Sequence, residues 1–198
     1  MPRLLTIALL SAATLAAATF PAPSLDPPSA PNQPADPAIL AGGCYWGMQA
    51  VFERLHGVLN VTAGYAGAGK GHAEAVRILY NPAVISYGTL LEVYFAVAHD
   101  PTQRNYQGPD FGTQYRSAIF YATEAQRKVA QAYIDQLTQA KVFREPIVTQ
   151  LTPFTAFYPE EEDQQHYVDR HPDSPYVIEN DLPKLEILER SFRPLVSR

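Results

Sequence analysis

Seven of the nineteen residues from Thr19 to Pro37 are proline. Each proline fixes φ and removes a backbone donor. Such a stretch therefore favours extended polyproline conformations and cannot form a helix or an inner strand. It splits the chain of 198 residues into a leader, a proline-rich tether over 19–37 and a block from Ala38 onward that must carry the fold.

The leader has its own signature. Arg3 precedes an apolar run from Leu4 to Leu15, which ends in Ala16-Ala17-Ala18. A basic start, a short apolar stretch and small residues at its end describe a secretory signal peptide over 1–18. The run is too short to span a bilayer comfortably, so the mature protein is expected to have no membrane span and to be periplasmic or secreted. No cysteine lies near the cleavage region to accept a lipid.

Composition then removes several classes. Apolar residues make up 46% of the chain, enough for one sizeable core, and the predicted domain, 38–198, is expected to act as a monomer. Twenty acidic residues against fifteen basic ones, with no long basic run, disfavour nucleic acid as a partner. The single cysteine, Cys44, excludes an internal disulfide framework and a CxxC zinc site. His56, His72, His99, His166 and His171 show no metal-ligand spacing, and no metal is expected.

Hydrophobic periodicity predicts strands at Ala38–Ala41, Val58–Tyr65, Ala73–Tyr80, 116–122 and 147–151. In the third, Glu74, Val76 and Ile78 share one face. Met48, Val51, Phe52 and Leu55 fall at helical spacing and are closed by Gly57. Ser86 is placed to cap a helix through His99, and Thr123-Glu124-Ala125-Gln126 to open one reaching about Ala140. Residues 100–114 read as a loop, and 159–169 and 181–192 as helices. Strands alternating with helices predict an α/β (α+β) two-layer sandwich, a ferredoxin-like mixed sheet with helices packed against it.

The most informative stretch is Gly42-Gly43-Cys44-Tyr45-Trp46-Gly47. Two glycines allow a sharp turn and leave room above the backbone, and the following residues open a helix. A thiol at a helix N-terminus faces free backbone N–H groups and the positive end of the dipole, which favour thiolate. Tyr45 and Trp46 beside it can form an apolar clasp for a small substrate group.

GGCYWG resembles the catalytic signature of the methionine sulfoxide reductase A family. Further stretches resemble that family in the same order. They are Gly64-Tyr65-Ala66-Gly67, Gly71-His72-Ala73-Glu74-Ala75-Val76, His99-Asp100-Pro101-Thr102-Gln103, and Gln107-Gly108 followed by Gly112-Thr113-Gln114-Tyr115-Arg116-Ser117, with a weaker match at Phe157-Tyr158-Pro159-Glu160-Glu161. The resemblance covers roughly residues 38 to 167. It implies reduction of the S epimer of methionine sulfoxide, free or in proteins, to methionine. Cys44 would attack the sulfur and become a sulfenic acid, and Glu74 would protonate the departing oxygen. Tyr65 and Tyr115 would donate hydrogen bonds to that oxygen, Asp110 would order the polar side of the pocket, and Tyr45 and Trp46 would hold the S-methyl group. The chemistry suits these residue types, because a carboxyl among aromatic rings stays neutral by desolvation and phenols add donors without charge.

The chain departs from the family pattern in four places. It carries no recycling cysteine, which implies no bound cofactor but an external thiol reductant: a thioredoxin-like or glutaredoxin-like protein, or glutathione. Tyr45 stands where phenylalanine is usual, the stretch from Gly67 to Gly71 is short, and Glu162-Asp163-Gln164 replaces an acidic-Tyr-His run. Two other readings compete. One is a thiol hydrolase pairing Cys44 with His72 or His99; the other is a non-enzymatic envelope domain with an inert cysteine.

Overall fold

The computed structural model describes residues 20–26, 37–67 and 72–197. The predicted signal peptide lies outside the described residues, as does the second half of the tether. The apolar run after Pro37 forms strand β1 (Ala38–Ala41), buried on both faces. Helix α1 (Tyr45–Glu53) follows. Its Met48, Val51 and Phe52 are fully buried, and Gly57, with φ +96°, closes the turn into β2 (Val58–Ala66). Strand β3 (Ala73–Tyr80) pairs antiparallel with β2 along its length and with β1 on the other side.

Ser86 caps α2 (Tyr87–Val93) by accepting from the Thr89 N–H at 3.0 Å, and the helix loosens into a π-turn over Tyr94–Ala98. The predicted loop 100–114 holds a small hairpin, β4 (Tyr106–Gln107) and β5 (Asp110–Phe111), in which the Tyr106 and Phe111 rings stack. Strand β6 (Ala118–Tyr121) leads to α3 (Glu124–Gln139), capped by Thr123. Then come β7 (Gln150–Pro153), β8 (Phe157–Pro159), a single helical turn α4 (Tyr167–Arg170), a π-turn over Val177–Asp181 and α5 (Leu182–Ser191).

The sheet order is β7-β6-β1-β3-β2-β8, with β6–β7 the parallel pair and the other pairings antiparallel. Its inner four strands, β6-β1-β3-β2, arise from a β-α-β-β-α-β chain order, which is the ferredoxin-like arrangement expected. Leu40, Val76, Ile78 and Ile119 face the helices and join the main core. Ile39, Ala75 and Phe120 face a smaller apolar layer under Phe154 and Phe157. Glu74 has the parity of Val76 and Ile78, so its carboxyl lies on the helix-covered face, near the start of α1.

Three local expectations differ from the structure. The strand predicted at 147–151 begins later, at Gln150, because the Val148 N–H pairs with the Pro101 carbonyl (2.8 Å) instead of with β6. Pro153 is tolerated there because β7 is an edge strand. The predicted helix over 159–169 is mostly extended or a tight turn, and His166 is left-handed (φ 54°) just before α4. Finally, residues 20–26 of the tether lie against the domain. Phe20 packs on Phe143, the Tyr133 hydroxyl donates to the Pro21 carbonyl (2.6 Å), and Asp26 accepts from the Ser86 hydroxyl and the Gly88 N–H. A proline-rich segment has free carbonyls, and here α3 satisfies two of them, Tyr133 at Pro21 and Gln136 at Ala22 (2.8 Å), while the start of α2 holds the Asp26 carboxylate.

Amides close the other edge of the sheet. Beyond the β2–β8 ladder the Gln165 side chain takes the place of a strand residue. It accepts from the Ala63 N–H (2.9 Å) and donates to the Ala63 and Glu160 carbonyls (2.9 and 3.1 Å). Gln49 of α1 donates to Gln165 (3.1 Å) and accepts from the His166 N–H (2.8 Å). Removing a buried partner leaves several groups unsatisfied, so Gln165→Ala is expected to lower unfolding free energy by about 3 kcal/mol in urea titration.

Candidate active site

The chain leaves β1 through Gly42 and Gly43. Gly43 has φ +91°, and a Cβ there would sit 2.5 Å from the Gln107 side chain, so the turn needs glycine on both counts. Cys44 then occupies the N-cap of α1, only 9% exposed. One turn on, Gly47 lets α1 approach the chain end: a Cβ there would lie 2.1 Å from Asp181 Oδ1. Asp181 is wholly buried and pairs with Lys184 at 3.3 Å, while its Oδ2 has no partner among the described residues.

Glu74 reaches the same helix end. Its Oε2 accepts from the Tyr45 N–H at 3.3 Å. Burial pushes its pKa up to about 7; the Tyr45 N–H opposes this, while the charges of Asp110 and Glu160 add to it. Directly opposite on β2 stands Tyr65. Burial, with Glu160 and Glu74 nearby, lifts its hydroxyl to about 12. Tyr115, in the tight turn before β6, is also raised by burial and then by the charges of Glu74, Asp110 and Cys44, which places it on the same cluster. Asp110 of β5 accepts a hydrogen bond from the Tyr176 hydroxyl.

An aromatic wall completes the pocket. Trp46 stacks on Tyr167 (3.7 Å, 7°), meets Tyr176 edge-on at 5.6 Å, and donates from Nε1 to Gln164 at 3.2 Å. Tyr45 meets Tyr65 edge-to-face at 5.9 Å. The structure thus brings Cys44, Tyr45, Trp46, Tyr65, Glu74, Asp110 and Tyr115 to one place. It adds four side chains that local sequence reading missed: Tyr176 beside the thiol, Tyr167 under Trp46, and Glu160 and Gln164 at the rim. No local signal marks Tyr176 among twelve tyrosines; it follows Pro175 in a stretch without periodicity.

The expected thiolate is overturned. Burial pushes the Cys44 thiol up to about 12. The Trp46 N–H and the Tyr176 hydroxyl work against that, and the charges of Glu74 and Asp181 reinforce it. Desolvation outweighs the helix terminus here, so the resting group is the thiol. Neither candidate histidine serves it. His99 is buried, with Nδ1 donating to the Tyr94 carbonyl (3.0 Å) and Nε2 bonded to Ser117 Oγ (2.7 Å), and desolvation lowers it to about 4. His72 packs on Tyr158. Among the described residues no group of three or more His, Cys, Asp or Glu is placed to hold a metal ion, and no helix is long and apolar enough to cross a membrane.

Comparison with known proteins places the chain in a family. The family model described as peptide methionine sulfoxide reductase matches residues 36–194. Peptide methionine sulfoxide reductase MsrA 2 of Mesorhizobium japonicum is 46% identical over 186 residues, covering 87% of this chain and 94% of that protein. The reduced form of Mxr1 from Saccharomyces cerevisiae superposes with a TM-score of 0.64 at 29% identity, over 70% of this chain and 87% of that one. Mxr1 in complex with Trx2 gives 0.50 at 27% identity, over 67% and 84%. The chain belongs to the peptide methionine sulfoxide reductase family, as an oxidoreductase of the A type.

Proposed function

We propose that the chain reduces the S epimer of methionine sulfoxide, free or in proteins, through a sulfenic acid on Cys44. One observation carries the reading: a buried thiol at the start of α1 lies beside a carboxyl whose pKa is raised to about 7 and which is bonded to the next residue's N–H. Cys44 is the nucleophile. Glu74, whose raised pKa keeps a protonated fraction near neutral pH, is the acid that protonates the departing oxygen, and Tyr65 and Tyr115 donate to that oxygen. Asp110 anchors Tyr176 on the polar side, and the rings of Trp46 and Tyr45 hold the methyl group.

Oxygen transfer balances within the site. Cys44–SH and methionine sulfoxide give Cys44–SOH and methionine: the thiol loses a proton while the oxygen gains one, and Glu74 is placed to pass it. One external thiol then converts the sulfenic acid to a mixed disulfide with loss of water. A second thiol releases Cys44–SH and leaves with the first as a disulfide. A thioredoxin-like protein fits this role, supported by the Mxr1 complex with Trx2; a glutaredoxin-like protein or glutathione has the same chemistry. The leader and tether point to export and to repair of oxidised envelope proteins by a monomer.

Epimer choice follows from handedness. Three walls fix three substituents: oxygen toward Glu74 and the phenols, methyl against Trp46, and the sulfur's free flank toward Cys44. The mirror epimer exchanges methyl and oxygen. Single turnover without added thiol is expected to give about one methionine per chain from the S epimer and about a hundredfold slower release from the R epimer, read by chromatography. Equal release from both would overturn the assignment of the walls.

A further inference from the structure

The Tyr45 hydroxyl and the Glu160 carboxylate form a pair that the proposed chemistry leaves unused. The Tyr45 side chain is buried, and its hydroxyl donates to Glu160 Oε2 at 3.3 Å. The Tyr65 ring meets the Tyr45 ring edge-on at 5.9 Å, and its hydroxyl is brought to the same carboxylate and to the Tyr45 hydroxyl. Two phenols therefore share one carboxylate at the edge of the oxygen-binding side of the pocket.

Glu160 is held firmly. Its N–H donates to the Ala63 carbonyl (3.0 Å), its carbonyl accepts from Gln165 (3.1 Å), and Oε1 accepts from the Glu161 N–H (3.1 Å). Oε2 is left facing the phenols. Among the described residues no cation forms an ion pair with Glu160, and its neighbours Glu161, Glu162 and Asp163 are acidic. Beside the Glu161 N–H, the donors set against this carboxylate are phenolic.

A phenol has one proton to donate. If Tyr65 turns its proton to a sulfoxide oxygen, Glu160 loses that donor. Were Tyr65 the carboxylate's only phenol, the charged acceptor would compete directly with the neutral sulfoxide for the same proton, and hydrogen bonds to charged acceptors are the stronger ones. The second phenol removes that conflict.

We propose that Tyr45 is a positioning residue for Tyr65: by donating to Glu160 it keeps the carboxylate satisfied, so that the Tyr65 hydroxyl is free to turn to the sulfoxide oxygen. This rests on Tyr65 being an oxygen donor in the proposed reaction. It also accounts for a tyrosine next to Cys44.

The test compares wild type, Tyr65→Phe, Tyr45→Phe and the double variant Tyr45→Phe/Glu160→Ala, each checked for unchanged thermal unfolding, in single-turnover kcat/KM for the S epimer. Tyr45→Phe is expected to lose about tenfold, because Tyr65 is then held by the carboxylate alone. The double variant, with no carboxylate left to compete, is expected to recover most of that loss. A merely structural role for Tyr45 predicts no such rescue. Tyr45→Phe within twofold of wild type, or a double variant no faster than Tyr45→Phe, would overturn the proposal. Tyr65→Phe separates the two levels: an unchanged rate there removes Tyr65's own role, whereas a slowed Tyr65→Phe beside an unaffected Tyr45→Phe removes only this one.

Discussion

Glu74→Gln is expected to slow methionine release about a thousandfold while making the fold more stable. Both effects have one cause. The carboxyl lies on the buried face of β3 with a pKa near 7, so the folded protein binds this proton more tightly than the unfolded chain does. Its stability contribution is therefore fully present below about pH 4.5 and is lost as pH rises toward 7, where Glu74 ionises in a site that disfavours the charge. Glutamine keeps the shape and accepts from the Tyr45 N–H but never ionises. Urea titration should show little difference between the proteins at pH 4.5 and about 3 kcal/mol in favour of the variant at pH 8. In wild type the single-turnover rate should fall as pH rises through about 7, and the residual rate of the variant should lack that step. A wild-type rate flat from pH 6 to 8 would remove Glu74 as the acid.

Cys44→Ser is expected to abolish methionine release altogether, with or without added thiol. The chain has no second cysteine to substitute, and a serine hydroxyl is a far weaker nucleophile toward sulfur. The buried thiol adds a second readout. With Cys44 raised to about 12, its alkylation by iodoacetamide in the native protein should be slow at pH 7 and climb steadily to pH 10. Turnover should not climb with it, because Glu74 loses its proton over the lower part of that range. Mass spectrometry of the Cys44 peptide measures the first and product formation the second. Fast alkylation at pH 7 would mean that the resting group is a thiolate.

Local chemistry made much of the molecule legible. The Ala38–Ala41 run, the helical spacing from Met48 to Leu55, the alternation along β3 and the caps at Ser86 and Thr123 depend on residues a few positions apart, and those elements stand where the pattern places them. The parity that puts Glu74 with Val76 and Ile78 is equally local, and so is the Gly-Gly turn that sets Cys44 at a helix start. The tail resisted because its structure is imposed from elsewhere. Residues 159–169 carry helical spacing, yet the edge of β2 and the amides of Gln49 and Gln165 hold them extended or tightly turned.

The same distinction divides the site. Neighbouring residues specify the reacting groups and the kind of surroundings they need: one thiol after two glycines, a carboxyl mid-strand, and aromatic neighbours. Tertiary structure alone decided how those groups behave. It buried the thiol so that desolvation overrides the helix terminus, set Tyr176 against it from the far end of the chain, and placed Glu160 within reach of Tyr45 across 115 positions. Local pattern records periodicity and turn preference; desolvation and charge depend on which distant segments close over a side chain.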